Sequence, residues 1–320
     1  MRVLITGANG FVGRRLCSRL TATGVEPVAV VRRRGASIPD VTEIELGSID
    51  GATDWRAALT GVDAVVHLAA VTHGTDLTDE SAQAYYDAIN VTATERLATA
   101  VADSAVGHFV FMSSIKVNGE RSVVLGGEHH AFTPSDLAQP EDNYGRSKLR
   151  AEQLFGRFAD AGAFELTVLR PPLVYGPGQK GNMLRLMRWI VAGRMLPLAS
   201  VSNRRSLIFV DNLADAVVCA IDRQGGRNRV YTLADADLST PDLIRGMATA
   251  LQVEARLVPC PPSLLRLCGR LVGRRAELDR LLGSLLVDSS LAHQALGWLP
   301  RVPFEQGMGE TANWFRAGAV

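Results

Sequence analysis

The chain has 320 residues, enough for one large α/β domain and a smaller second one around a substantial core. Hydrophobic residues make up 47% and charged residues 21%, a composition that excludes extensive disorder. The 34 Lys+Arg against 33 Asp+Glu leave a formal net charge of +1, so no global field selects nucleic acid or a membrane, and specificity has to come from a local site.

Met1-Arg2 leads directly into Val3-Leu4-Ile5 and then glycine, so a signal peptide is not expected. No apolar run reaches the roughly 18 residues of a membrane span, and the expected compartment is the cytoplasm. Cys17, Cys219, Cys260 and Cys268 form no C-x-x-C pair, which fits reduced thiols. The histidines His67, His73, His108, His129, His130 and His293 contain no H-x-x-x-H, so a metal site is not expected. The His129-His130 doublet, among Gly and Glu, reads as a solvated loop.

Short β-branched runs then alternate with stretches of helical period. Val3 to Thr6, a helix to Gly24, Val28 to Val31, Ile44 to Leu46, a helix to Gly61 and Asp63 to Leu68 follow in order. An amphipathic stretch from Ser81 to Val106 precedes His108 to Met112, and a helix over Tyr144 to Ala161 precedes Leu166 to Leu169. This is the pattern of βαβ units, and apolar strands without alternation imply a doubly wound parallel sheet with helices on both faces. After Arg170-Pro171-Pro172 helices follow one another more often, so a smaller, mainly helical substrate domain is expected over 171–320. The first domain, 1–170, should regain a strand and a helix over about 206–221. No internal repeat stands out.

Val3 to Gly13 is a buried strand, a glycine-rich turn and a helix start. Gly7 permits the tight turn, Gly10 lets backbone approach a pyrophosphate, and Gly13 lets helix and strand pack closely. The first domain is therefore read as a dinucleotide-binding Rossmann unit. Arg32 lies roughly 20 residues after Gly13, where an acid would accept the 2′-hydroxyl of NAD. Arg32, Arg33 and Arg34 are basic instead and suit the 2′-phosphate of NADP; a solvated basic turn is the alternative.

Tyr144 and Lys148 stand four apart on a predicted helix and so share a face. A neighbouring cation favours phenolate, which makes proton exchange with a substrate oxygen feasible. Ser114, at the end of the Met112-Ser113-Ser114 strand, can donate to a carbonyl or alkoxide; a strand-end capping role is the alternative.

Thr6-Gly7-Ala8-Asn9-Gly10-Phe11-Val12-Gly13, His67-Leu68-Ala69-Ala70, Ser113-Ser114-Ile115-Lys116-Val117-Asn118-Gly119, Tyr144-Gly145-Arg146-Ser147-Lys148 and Arg170-Pro171-Pro172-Leu173-Val174-Tyr175-Gly176-Pro177-Gly178 occur in succession. From residue 1 to about 315 the chain resembles the extended short-chain dehydrogenase/reductases acting on nucleotide sugars, in the NAD-dependent epimerase/dehydratase family. The resemblance implies a catalytic triad of Ser114, Tyr144 and Lys148, with Lys148 also on the nicotinamide ribose. It implies cofactor contacts by Gly7, Asn9, Gly10, Phe11, Val12, Gly13, Leu68, Ala69, Ala70, Pro171 and Val174. Asn90 would brace or relay beneath the site. Ser48 stands where the family usually has an aspartate reading the adenine, leaving Ile49 to cover the ring. Lys116, Asn182, Arg205 and Arg280 would contact substrate, with Asn182 and Arg205 on its diphosphate; a strand-end surface charge is the alternative for Arg205.

Leu264 to Leu286 carries Arg266, Arg270, Arg274, Arg275 and Arg280 among leucines. Gly269, Gly273 and Gly283 interrupt the period, so a helix pair with a solvated arginine face is favoured over a helix on a membrane surface.

Three reactions share such a scaffold. Dehydration needs an acid and base after the active-site hydroxyl, and Ile115-Lys116 offers no carboxylate. Arg32 favours an exchangeable NADPH, and with it net reduction over epimerisation. Ser113 to Glu120, Arg204 to Leu207 and Leu282 to Ser289 resemble the 4-ketoreductases that form UDP-N-acetylquinovosamine, and Asn118 replaces the family's usual tyrosine. The expected activity is reduction of the 4-ketone of a UDP-4-keto-6-deoxy-N-acetylhexosamine in polysaccharide synthesis, with NADP as cofactor and NAD as the alternative. The alternatives are a UDP-hexose 4-epimerase with bound NAD and a non-catalytic dinucleotide sensor or scaffold. A homodimer is the family's habit, and no nucleic-acid partner or transmembrane segment is expected.

Overall fold

The computed structural model describes every residue except 36, 37, 39, 40, 73–78, 224, 225, 272, 274, 319 and 320. His73 and Arg274 thus lie outside the described residues. The first half runs β1 (Arg2–Thr6), α1 (Phe11–Ala22), β2 (Glu26–Val31), β3 (Thr42–Glu45), β4 (Ala64–His67), α2 (Asp79–Asp87), a π-helical turn (Ala88–Thr92), α3 (Ala93–Ala102) and β5 (His108–Met112). A 3-10 turn (Ile115–Val117), the short strands β6 (Val124–Leu125), β7 (Glu128–His129) and β8 (Ala131–Phe132), and α4 (Asn143–Asp160) follow. The second half continues with β9 (Glu165–Arg170), β10 (Leu173–Tyr175), α5 (Asn182–Val191), β11 (Arg205–Phe209), α6 (Val210–Asp222), β12 (Arg229–Thr232) and β13 (Ala236–Leu238). It ends with α7 (Thr240–Leu251), α8 (Pro262–Leu271), α9 (Arg275–Leu282), β14 (Leu286–Val287) and α10 (Phe304–Arg316).

Seven strands form one parallel sheet in the order β12-β9-β5-β4-β1-β2-β3. Val3 and Ile5 point into an apolar layer with Leu16 and Leu20 of α1 and Leu213 and Val217 of α6. Leu4 points into the opposite layer, with Leu97 and Val101 of α3 and Phe155 of α4. Both faces are therefore covered, which is why the strands carry no polar alternation. The strand order reverses between β1 and β4, and that crevice is where such sheets bind ligands.

Three expectations change. The strand read over 206–210 forms as β11, yet it pairs parallel with β10 and antiparallel with β13 instead of rejoining the large sheet. The edge beside β9 is taken by β12, and the chain leaves the large sheet at Pro171-Pro172, which lack the N–H groups to continue a ladder. The helix after it, α6, does return and packs along α1, following β11 with no intervening residue.

The helix read up to Gly61 is replaced by turns. There the Asp50 N–H donates to Thr53 Oγ1 (2.9 Å), and Asp54 Oδ1 accepts from the Arg56 N–H (3.1 Å), so side chains compete for the backbone. The amphipathic stretch from Ser81 is divided by the π-helical turn that holds Asn90 and stops at Ala102.

Among the described residues no helix is long and apolar enough to cross a membrane.

Candidate active site

The β1–α1 turn is shaped around absent side chains. Gly7 sits at φ +68°, and a Cβ there would fall 2.8 Å from the Ala69 nitrogen. A Cβ at Gly13 would lie 2.3 Å from the Gly7 oxygen and 2.6 Å from Ala8 Cα, and one at Gly10 would lie 3.0 Å from the Gly7 oxygen. Gly10 caps α1 without a side-chain acceptor, and the first turn has no acid, so its N–H groups remain available to an anion. This cradle fits a dinucleotide pyrophosphate, and a side chain at Gly7 or Gly13 would collide with the backbone that forms it.

The end of β4 is tied to the same turn. Thr6 Oγ1 accepts from the Ala69 N–H (3.2 Å) and bonds His67 Nδ1 (2.7 Å), while His67 Nε2 meets Thr94 Oγ1 (3.1 Å). Burial holds His67 down at about 3, so it is a neutral spacer stacked on Phe111. Leu68, Ala69 and Ala70 are only half-buried, and Leu68 and Ala69 lie beside Gly7, on the crevice. Phe11 and Val12, in the first turn of α1, pack with Val174, and the Phe11 ring is 3.5 Å from a Cβ built at Gly178. The Pro171–Gly178 segment and the glycine cradle therefore border one crevice. Pro171 is buried, and its carbonyl accepts from the Ile115 N–H at 3.0 Å. Ile49 is half-buried at the edge of the opposite apolar layer.

Asp142 starts helix α4 as its cap, accepting from the Gly145 N–H at 2.7 Å. Gly145 is needed there because a Cβ would fall 2.7 Å from the Lys116 carbonyl. Tyr144 follows, half-buried, beside Ser114 and facing Tyr86 at 6.3 Å between ring centroids, while Ser114 Oγ accepts from the Lys116 N–H at 3.3 Å. Lys148 is buried, donates to the Met112 carbonyl (2.8 Å), and lies 4.6 Å from the Phe111 ring centroid and 5.9 Å from that of Tyr144.

The structure thus brings Ser114, Tyr144 and Lys148 together, but the electrostatics differ from the expectation of a favoured phenolate. Burial, then the Asp142 carboxylate and Tyr86, push the Tyr144 phenol up, opposed by the nearby Ser114. Burial pulls Lys148 down to about 7, opposed by Glu152.

Beneath the triad lies a buried polar network that the sequence reading missed. Glu152 and Arg170 form a two-point ion pair, with Arg170 Nε 2.9 Å from Glu152 Oε1. Arg170 Nη1 donates to Asn118 Oδ1 (3.0 Å), and Ser113 donates to Glu152. Glu152 continues the Tyr144, Lys148 face by one further helical step, a spacing that could have flagged it. Asn90 is buried, donating to the Val71 carbonyl (3.1 Å) and Ser147 Oγ (3.0 Å), and so ties α4 to the chain after β4.

Of the residues expected on substrate, Lys116 and Arg280 are linked through ion pairs with Glu120, and Arg205 and Asn182 are not part of that chain. Lys116 bonds Asp142 and, at 3.0 Å, Glu120; Glu120 in turn meets Arg280 at 3.4 Å. Arg205, half-buried at the start of β11, donates to the carbonyls of Arg280 and Gly283 at the end of α9. Asn182 opens α5 in an exposed position and accepts from Arg185 at 3.0 Å. Arg32 is exposed in the bend after β2. Of the histidine doublet, His129 is exposed and bonds Ser284, and His130 pairs with Asp136. No group of three or more potential metal ligands occurs among the described residues.

The model of the NAD dependent epimerase/dehydratase family matches residues 3–234. A UDP-glucose 4-epimerase of Vibrio cholerae is 37% identical over 315 residues, covering 98% of this chain and 95% of its own length. An Escherichia coli O157:H7 N-acetyl-alpha-D-glucosaminyl-diphospho-ditrans,octacis-undecaprenol 4-epimerase is 25% identical, covering 98% of this chain and 94% of its own length. The crystal structure of UDP-glucuronic acid 4-epimerase from Bacillus cereus in complex with NAD superposes with a TM-score of 0.79 over 100% of both chains, at 21% identity, a likeness of fold. With the glycine cradle, the parallel sheet and the Ser114, Tyr144, Lys148 cluster in place, the chain belongs to the NAD-dependent epimerase/dehydratase family and is an enzyme of the extended short-chain dehydrogenase/reductase type.

Proposed function

We propose that this chain is a nucleotide-sugar 4-epimerase acting on a UDP-hexose or UDP-N-acetylhexosamine with resident NAD. The observation that carries the reading is the pairing of Tyr144 with the buried Lys148, whose Nζ lies 5.9 Å from the Tyr144 ring centroid, on the same crevice as the glycine cradle. The Vibrio cholerae relative, a UDP-glucose 4-epimerase, supports it. Gly7, Gly10, Gly13 and the first turn of α1 would hold the dinucleotide, which when bound supplies a hydride acceptor and donor at its nicotinamide. Tyr144 exchanges a proton with the sugar C4 oxygen, Ser114 hydrogen-bonds the same oxygen, and Lys148 offsets negative charge on the phenol. Arg205 and Asn182 would hold the diphosphate, so that binding energy from the UDP handle orients C4.

Arg32 carried the preference for NADPH and net reduction. Its bend has acidic neighbours: Glu43 accepts from the Gly35 N–H (2.8 Å) and Glu45 from the Arg34 N–H (3.3 Å). A further phosphate there meets repulsion as well as attraction, which supports NAD. The reductase remains as a second reading, favoured by Asn118, which stands where the family usually has a tyrosine.

Incubation with UDP-glucose or UDP-N-acetylglucosamine, without added reductant, should yield the C4 epimer by NMR. Net consumption of NADPH with a UDP-4-keto-6-deoxy-N-acetylhexosamine, and no epimer from either sugar, would move the assignment to the reductase. Cofactor binding without turnover of any of these would leave a sensor.

A further inference from the structure

The net charge of +1 conceals a strong asymmetry along the chain. Residues 166–210 and 255–276 together hold 12 of the 34 cations and none of the 33 acids. The second of these stretches contains α8, which packs on α9 through Leu265 and Gly269; a Cβ at Gly269 would fall 2.3 Å from Leu278 Cδ1, so the contact is close. Away from α9, Leu264, Leu267 and Leu271 are 48%, 52% and 79% exposed.

Single exposed leucines need no explanation, but three at helical spacing in a ten-residue helix make a stripe. Arg266 and Arg270 stand exposed between them on the same helix, and Arg266 reaches Asp279 only at 3.6 Å. The solvated face of α8 is therefore apolar and cationic at once.

We infer that α8 docks on an anionic lipid surface, with Leu264, Leu267 and Leu271 entering the interface and Arg266 and Arg270 meeting headgroup phosphates. Arginine suits this because its stem lies along apolar surface while the guanidinium pairs with phosphate. A second copy of the chain is a poor occupant: a twofold contact through α8 would bring like arginines together. A bilayer carrying anionic lipid supplies both the apolar and the negative component.

The surface also borders the proposed substrate side, since α9, against which α8 packs, ends at the carbonyls that hold Arg205. The docking itself does not depend on the proposed reaction.

The test is co-sedimentation of the full chain with vesicles of equal parts phosphatidylglycerol and phosphatidylcholine, beside vesicles of phosphatidylcholine alone. Binding is expected to the anionic vesicles only, and to weaken at about 1 M salt, where the Debye length is about 3 Å. Leu267→Glu with Leu271→Glu should lower the bound fraction at least about tenfold. Unchanged circular dichroism would show that the fold is kept, and Leu264→Gln with Leu267→Gln provides a milder pair. Absence of sedimentation, equal binding to both vesicles, or binding that survives both pairs overturns the inference. So does a dimer in sedimentation velocity that the glutamate pair dissociates.

Discussion

Glu152, in the middle of α4, and Arg170, at the end of β9, form an ion pair with only 8% and 7% of their side chains exposed. Removing one partner leaves a buried charge with too few compensating bonds. Glu152→Ala should therefore cost about 3–5 kcal/mol of unfolding free energy, read from urea denaturation. Replacing both by apolar residues of similar volume should cost clearly less, because neither charge is then stranded. A Glu152→Ala variant as stable as the parent would mean that the pair is not closed in solution.

Tyr144→Phe keeps the ring against Tyr86 and removes only the hydroxyl. Cofactor affinity should stay within about threefold while turnover falls about 10²- to 10⁴-fold, the usual worth of a positioned proton donor or acceptor. Steady-state rates and a cofactor titration separate the two effects. Near-normal turnover would move the proton exchange to another group.

Lys148 makes stability depend on pH. Folding lowers its value to about 7, whereas an unfolded lysine titrates near ~10.4. Between these values the unfolded chain binds a proton that the folded chain lacks, so this group's contribution to stability rises with pH across that window. Below it, both states are protonated and the cost of burying the ammonium is complete. Loss of the Met112 bond in Lys148→Met adds an offset with no pH dependence. The melting temperature of the variant relative to the parent should accordingly be highest near pH 6 and decline toward pH 10. A difference that stays flat across the range would place the lysine in a wetter environment.

At Gly13 a methyl group has nowhere to go, with backbone atoms of Gly7 and Ala8 inside 3 Å. Gly13→Ala should lose about 1–3 kcal/mol and weaken NADH binding by about tenfold or more, measured by fluorescence titration. Gly156→Ala is the control. Nothing lies within 4 Å of a Cβ there, and inside α4 an alanine should add about 0.5–1 kcal/mol without touching the cofactor.

The cradle and the triad were legible because their signals are local: a strand, glycines and a helix start within 11 residues from Val3 to Gly13, and two side chains four apart on one helix. Partner choice between strands is not local. Nothing in Arg205–Phe209 itself distinguishes pairing with β10 from pairing with β9; the competitor, β12, lies beyond α6. The turns at residues 52–61 failed to read as turns because Trp55, Ala58 and Leu59 are buried at helix-like spacing, while Asp50 and Asp54 capture the backbone. The Glu152–Arg170 pair was hidden because the two residues come from a helix and the next strand and meet only when α4 packs on the sheet. The apolar side of α8 was hidden in the same way, since the sequence does not say which leucines α9 leaves uncovered.

The direct passage of β11 into α6 has a consequence for how this chain tolerates length variation. Phe209 ends the strand and caps the helix, and from that helix Asp211 and Asp215 clasp Arg15 and Arg19 of α1. The joint has no slack. One inserted residue would turn α6 by about 100° about its axis and advance it about 1.5 Å, a phase error carried to every side chain downstream. Both carboxylates would leave their arginines, and α1, whose first turn frames the cradle, would lose its brace from behind. Insertions and deletions between Phe209 and Val210 should therefore abolish folding or cofactor binding, whereas the exposed turn at Gly126-Gly127 between β6 and β7 should absorb them as added loop.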